Sequence, residues 1–355
     1  MFKKKSLITA VSFLSAVSLF TGCSSANTST SESSASEVSV STAASSNIPE
    51  SEPFSVVCTI FPEYDWVKEI LGSHAENVEI SYLLDNGVDL HNYQPTADDI
   101  VKISSCDLFV YVGGESDEWV EDALAEAANK DMKVINLMDV LGDSAKVEEL
   151  KEGMQESEHE EAEAEEEHEH EHEEGEAEYD EHVWLSLKNA KVLCAEIEKN
   201  IEVIDSANAA DYKANLDSYV AKLDELDNSF KTLVDGSSVK ALVFGDRFPF
   251  RYFVDDYGLD YFAAFIGCSA ESEASFETIK FLSDKINELD CKTIFTIENS
   301  VKDIAEAVIS NSGKTDVTIA ELNSLQSVSN ADISSGTTYL SLMQKNYDVL
   351  ADVLK

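Results

Sequence analysis

Residues 158 to 185 read EHEEAEAEEEHEHEHEEGEAEYDEHVWL, and this stretch limits what the rest of the chain can be. Five of the seven histidines lie in it: His159, His168, His170, His172 and His182. The first four sit among glutamates with almost no apolar neighbours. Such a segment cannot bury enough surface to offset its ordering entropy. A mobile loop over residues 152–179 is therefore expected, inserted within folded chain. Packed structure resumes at Val183-Trp184-Leu185, so His182 is expected to be held still. Neutral imidazoles beside carboxylates bind divalent transition metals weakly and reversibly. The pattern suggests a mobile metal-gathering loop that feeds a fixed site. The plainer alternative is a solvated acidic insertion that only keeps the protein soluble.

Charge points the same way. The 355-residue chain carries a formal charge of −45. From Glu148 to Glu181 there are 19 acidic residues against the single Lys151. This balance argues against nucleic acid and anionic lipid as direct partners and favours cations.

The N-terminus reads as a targeting segment. Lys3-Lys4-Lys5 is a basic start, Leu7 to Phe20 is a short apolar run, and Thr21-Gly22-Cys23 closes it. The run is too short for a stable membrane span and predicts a cleaved signal peptide over residues 1–22. Small residues followed by Cys are similar to a bacterial lipobox, which makes Cys23 the lipidated first residue of the mature chain. Residues 23–53, rich in Ser, Thr, Ala and Glu, are then a disordered tether. The other five cysteines show no CxxC spacing, and their odd number supports no disulfide framework. Cys58 in an apolar strand pattern and Cys194 on a helix are read as small core residues rather than ligands.

From residue 54 onward, strands alternate with helical patterns. Strands are expected at 54–61, 78–84, 107–113 and 133–137. Helices follow Pro62, Thr96 and Ser116, and Thr96 with Asp99 forms a capping box. A helix is expected at 189–204. A longer pattern at 207–233 carries Tyr212, Leu216, Tyr219, Leu223, Leu226 and Phe230 at spacings of three and four. After Asp235-Gly236-Ser237-Ser238 a second set begins. Its strands are expected at 240–245, 259–266, 293–297 and 317–322, and its helices at 276–289, 301–309 and 339–354. Such alternation implies parallel βαβ units. The expected fold is α/β: two Rossmann-like lobes with parallel sheets, 54–205 and 236–355, joined by one long rigid helix at 206–235, with a metal cleft between the lobes.

In open parallel sheets, ligands collect beyond the carboxyl ends of strands. His91 follows the second strand there, and His182 precedes a helix. Asp246, Glu298 and Asn323 follow strands of the second set. Two imidazoles facing oxygen donors across a cleft make an N2O2 site suited to Zn2+, then to Mn2+. The metal ligands expected are His91, His182, Asp246 and Glu298. Asn323, a weak neutral donor, and Asp180 stand behind them. His159, His168, His170 and His172 form the auxiliary capture loop.

Three motifs carry a resemblance. They are Asp89-Leu90-His91-Asn92-Tyr93-Gln94-Pro95-Thr96 with the strand Asp107 to Gly113, then Asp180-Glu181-His182-Val183-Trp184-Leu185, then Tyr252-Phe253 with Tyr257-Gly258-Leu259. Over residues 54–355 the chain resembles the metal-specific solute-binding lipoproteins of zinc and manganese ABC importers. The resemblance implies two lobes clamping one ion, with His91 and His182 as direct ligands. The family's third His corresponds to Gly245 before Asp246, and the Asp of its Leu-Asp-Pro-Leu segment to Asn323. Asp246 is then expected to replace the missing imidazole, with Glu298 or water completing the shell.

The implied protein is a monomer without enzymatic activity, on the extracytoplasmic face of a bacterial membrane and anchored at Cys23. It delivers Zn2+, or alternatively Mn2+, to an ABC permease and binds no nucleic acid. The rival readings are a secreted zinc hydrolase, for which there is no HExxH or GxSxG motif, and a surface adhesin with a structural metal site.

Overall fold

A computed structural model of the chain describes residues 53–155, 178–269 and 273–355. Cys23 and the four loop histidines, His159, His168, His170 and His172, lie outside the described residues. Among the described residues, no helix is long and apolar enough to cross a membrane.

The first half is built on a parallel sheet in the order β2-β1-β3-β4. Its strands are β1 (Ser55–Cys58), β2 (Glu79–Tyr82), β3 (Leu108–Tyr111) and β4 (Lys133–Asn136). β1 is central because it is apolar on both faces: Val56, Val57 and Cys58 are all buried. That is the pattern of a strand covered by helices on two sides. Helix α1 (Phe61–Leu71) follows with Pro62 in its first turn, where no backbone donor is needed. It stops at Gly72, with φ +55°. A Cβ there would lie 2.5 Å from Asn215 Nδ2, which donates to the Ile70 carbonyl at 3.0 Å. Glycine therefore both ends the helix and lets another one approach. Helix α2 (Ala97–Ser105) starts at the expected capping box, with Thr96 Oγ1 accepting from Asp99 N and Asp99 Oδ2 from Thr96 N.

Helix α3 is confined to Trp119–Ala125, shorter than the expected 116–130. At its start, Asp117 Oδ2 turns back to accept from Gly113 N at 3.0 Å. Beyond its end, Ala128 and Asn129 N donate to the Ser104 carbonyl instead of continuing the helix. A short helix, α4 (Leu137–Leu141), was not expected; the Asn136 side chain caps it by accepting from Asp139 N.

Helix α5 (Leu187–Ile204) and the 28-residue α6 (Ala209–Gly236) pack side by side. At ~1.5 Å per residue α6 is about 42 Å long. Its buried stripe, Tyr212, Leu216, Tyr219, Leu223, Leu226, Phe230 and Val234, is the one expected from spacing, carried one turn further. The start of α6 lies against α1 and α5. Its end reaches the second half, where Phe230 stands 5.0 Å from Phe253 and 5.4 Å from Tyr257, both on α7 (Arg251–Tyr257).

In the second half, β5 (Ala241–Val243) pairs with β7 (Asp260–Phe262), β6 (Arg247–Phe248) with β8 (Phe265–Ile266), and β9 (Thr293–Ile297) with β10 (Thr318–Leu322), all parallel. A Phe244–Phe295 bridge joins β5 to β9. The single strand expected at 259–266 is two. Phe244 N donates to the Phe262 carbonyl, but two residues later the chain changes partner and Ala264 N donates to the Asp246 carbonyl. Helices α8 (Phe276–Glu288), α9 (Asp303–Ser312), α10 (Asn330–Ser334) and α11 (Tyr339–Val353) complete an α/β fold of parallel sheets and one long helix.

Candidate metal centre

Two turns of the same design deliver the histidines. In Asp89-Leu90-His91, Asp89 Oδ1 accepts from His91 N at 3.1 Å. In Asp180-Glu181-His182, Asp180 Oδ1 accepts from His182 N at 2.8 Å. Each Asp closes a local side-chain turn and fixes the next-but-one residue. The first turn follows β2 and is anchored by buried Leu90. The second is clamped from the second half: Tyr252 Oη donates to the Asp180 carbonyl at 2.8 Å, and Trp184 Nε1 to the Ser324 carbonyl at 2.8 Å. Tyr339 Oη donates to the Trp184 carbonyl at 2.7 Å. His182 is fully buried, as its place before Val183-Trp184-Leu185 predicts.

The two rings meet. His91 Nε2 and His182 Nε2 are 3.2 Å apart, with ring centroids at 5.2 Å. Behind His182, Nδ1 faces Asp180 Oδ1 at 3.0 Å. Behind His91, Nδ1 faces Ser116 Oγ at 2.8 Å and Glu181 Oε2 at 3.5 Å. Asp180 Oδ1 is an acceptor, so we assign the His182 proton to Nδ1, and we assign the His91 proton to Nδ1 facing the Ser116 and Glu181 oxygens. Both Nε2 lone pairs then point at one place. Two nitrogens ~2.0–2.1 Å from a tetrahedral Zn2+ lie about 3.3 Å apart, close to the distance seen. Burial, then the neighbouring His182 and Arg247, lower the His91 pKa to about 3, so its ring is a neutral donor at physiological pH.

The surroundings are anionic. Burial raises the carboxyls of Glu148, to about 7, and of Glu181, and nearby Asp180 adds to both effects. Glu148 Oε2 and Glu181 Oε2 are buried without a hydrogen bond. A cation between the imidazoles would offset that accumulation of buried negative charge. Arg247 is turned inward, but Asp89 pairs with it and holds its charge.

The carboxylates expected from the second half, Asp246 and Glu298, do not come within 4.8 Å of both rings. Asp246 Oδ1 accepts from Arg247 N at 2.9 Å and Oδ2 from Ile297 N at 3.3 Å, tying the end of β5 to β9. Glu298 accepts from Ser324 N and Oγ, both at 2.7 Å. Asn323 Oδ1 accepts from Leu325 N at 2.8 Å, beside a left-handed Leu325 with φ +66°. Asp246 and Asn323 each accept from a backbone N–H one or two residues on, and Glu298 ties the end of β9 to the end of β10 through Ser324.

Cys268 stands there instead. Among the described residues, the one set of three or more His, Cys, Asp or Glu side chains with ligand atoms within 4.8 Å of one another is His91, His182 and Cys268. Cys268 follows β8, and its N donates to Glu148 Oε1 at 3.2 Å. Gly267 before it lies against the His182 ring: a Cβ at 267 would be 3.0 Å from His182 Cε1 and 2.9 Å from the Phe248 carbonyl. Reading the sequence by CxxC spacing could not find Cys268, because its partners are histidines 86 and 177 positions away in the chain.

Residues 56–353 match the model of the family described as zinc-uptake complex component A, periplasmic. The chain belongs to this family. It is 31% identical over 304 residues to the high-affinity zinc uptake system protein ZnuA of Bacillus subtilis, covering 84% of this chain and 87% of that one. It is 30% identical over 296 residues to the zinc-binding lipoprotein AdcA of Streptococcus pneumoniae, covering 83% of this chain and 54% of the relative. The chain thus spans about half the length of the AdcA relatives that it matches. Among solved structures, the Zn(II)-bound ZnuA-like domain of Streptococcus pneumoniae AdcA superposes with a TM-score of 0.64 at 25% identity, over 85% of this chain and 99% of that one. The α/β architecture expected from the strand–helix alternation is the architecture of these relatives.

Proposed function

We propose that this chain captures a divalent transition metal outside the cytoplasmic membrane, Zn2+ first and Mn2+ next, and passes it to an ABC permease. The observation that carries the reading is the pair of Nε2 atoms 3.2 Å apart, with an acidic or hydroxyl partner behind each ring. The relatives' names, zinc uptake protein and zinc-binding lipoprotein, support zinc as the cargo. In this reading, the protein binds and carries and performs no chemistry. It acts as a monomer of two lobes bridged by α6 and is held to the membrane through Cys23. His159, His168, His170 and His172 gather ions for the fixed site.

Calorimetry tests it. His91→Ala and His182→Ala are each expected to lower zinc affinity at the tight step by at least about a hundredfold, more than the loss of a group behind a ligand costs. Deleting residues 156–177 should remove weak binding steps and leave the tight one. Two histidine variants with undiminished affinity would end the proposal. Slowed growth under zinc limitation without the protein is expected for an importer component and not for an adhesin.

A further inference from the structure

We propose that the Cys268 thiolate is the third protein ligand of the captured ion, so that the site is His2Cys and suits thiophilic divalent ions. The inference rests on the metal-capture reading above and specifies its chemistry. Three observations converge. Cys268 is the group whose ligand atom joins those of His91 and His182 within 4.8 Å. The oxygens that otherwise would complete the shell, on Asp246, Glu298 and Asn323, accept from backbone donors. The loop that carries the sulfur is pressed onto the site, since Gly267 packs on the His182 ring and Cys268 N is tied to Glu148.

A nitrogen at ~2.05 Å and a sulfur at ~2.3 Å around a tetrahedral ion are about 3.6 Å apart. The sulfur therefore has to close by about 1.2 Å at most, a rotamer-scale movement. On binding, the ion takes the sulfur lone pair and the thiol proton leaves to water. The thiolate then offsets one of the ion's two positive charges. Thiolate and imidazole ligands favour Zn2+, Cd2+ and Co2+ over Mn2+ and Mg2+, which prefer oxygen.

The test uses the full chain and Co2+ alone as the probe. Wild type is expected to show a near-ultraviolet thiolate-to-cobalt charge-transfer band, and Cys268→Ser and Cys268→Ala to lack it. The loop histidines offer no sulfur and cannot imitate the band. Zinc affinity should fall by on the order of a hundredfold in both variants, while Mn2+ affinity changes little. Thermal unfolding without metal monitors folding, and Ser preserves the size of the side chain. A wild-type cobalt complex without the band, or a band that survives in Cys268→Ser, overturns the proposal. So does wild-type zinc affinity in Cys268→Ala. Those results would leave the capture reading standing, provided the His91→Ala and His182→Ala variants lose binding. Retained binding in the histidine variants would remove both.

Discussion

The two Asp-x-His turns and the carboxyl ends of β5, β9 and β10 offer the same kinds of donor atom, yet the two places use them differently. At the turns, Asp89 and Asp180 accept from backbone N–H groups, and that leaves the histidine two residues on with a bare Nε2. At the strand ends, Asp246, Glu298 and Asn323 are themselves the acceptors of the backbone. The difference lies in who closes the turn. A carboxylate that satisfies two main-chain donors has little left to offer a metal, and detaching it leaves those donors unpaired at about 1–3 kcal/mol each. A side chain becomes a ligand when a neighbour does the structural work for it.

The largest effect that sharpens this contrast, after loss of a histidine itself, comes from Asp180. Asp180→Asn keeps an oxygen for His182 N but removes the negative charge behind the ring. Zinc affinity is expected to fall by roughly 10–100-fold, the usual cost of removing a carboxylate that orients a ligating imidazole. Nitrogen NMR of the His182 ring should show a mixture of tautomers where wild type has one. Undiminished affinity together with a single Nδ1–H tautomer would mean that the turn alone orients the ring. A smaller effect is expected at Gly267, whose Cβ-free backbone lies against the ring. Gly267→Ala forces His182 or the β6 backbone to shift by a few tenths of an ångström. We expect on the order of a tenfold loss of zinc affinity and about 1–3 kcal/mol of stability in denaturant unfolding. No change in either would show that the site is looser than its packing indicates.

The same contrast explains what could be read from the sequence. Strand and helix order was legible because β1 and β9 are short runs rich in β-branched and apolar residues and α6 carries a stripe at spacings of three and four. The capping box at Thr96 was a local signal and appears where spacing places it. The break between β7 and β8 was not legible, since it arises when the chain changes hydrogen-bond partner from β5 to the Asp246 carbonyl. His91 stood out because imidazole is scarce outside the acidic run and it follows a strand, and His182 because packed structure resumes directly after it at Val183-Trp184-Leu185. Asp246 and Glu298 were expected as ligands because sequence position locates them at strand ends but does not reveal their backbone partners. Cys268 was passed over for the opposite reason: nothing nearby in the chain marks it, and its neighbours assemble only on folding.

The smallest expected effect on binding is the most discriminating. Asp246→Asn and Glu298→Gln should leave zinc affinity within about twofold of wild type while lowering stability by about 1–3 kcal/mol each. The reason is geometric. Asp246 receives one N–H on each oxygen, from Arg247 and Ile297, and an amide presents its own N–H2 to one of them. Glu298 receives Ser324 N on one oxygen and Ser324 Oγ on the other, and because that hydroxyl can turn to accept from an amide, Glu298→Gln is expected at the low end of the range. Because the Ser324 carbonyl accepts from Trp184 Nε1, a loosened Ser324 is felt two residues from His182 as a shifted unfolding midpoint, before it is felt as weaker binding. The reverse outcome would break the comparison. If either variant lost an order of magnitude or more in zinc affinity with its thermal midpoint unchanged, that carboxylate would leave its backbone partners when the ion arrives. The strand ends would then supply ligands after all, in competition with Cys268.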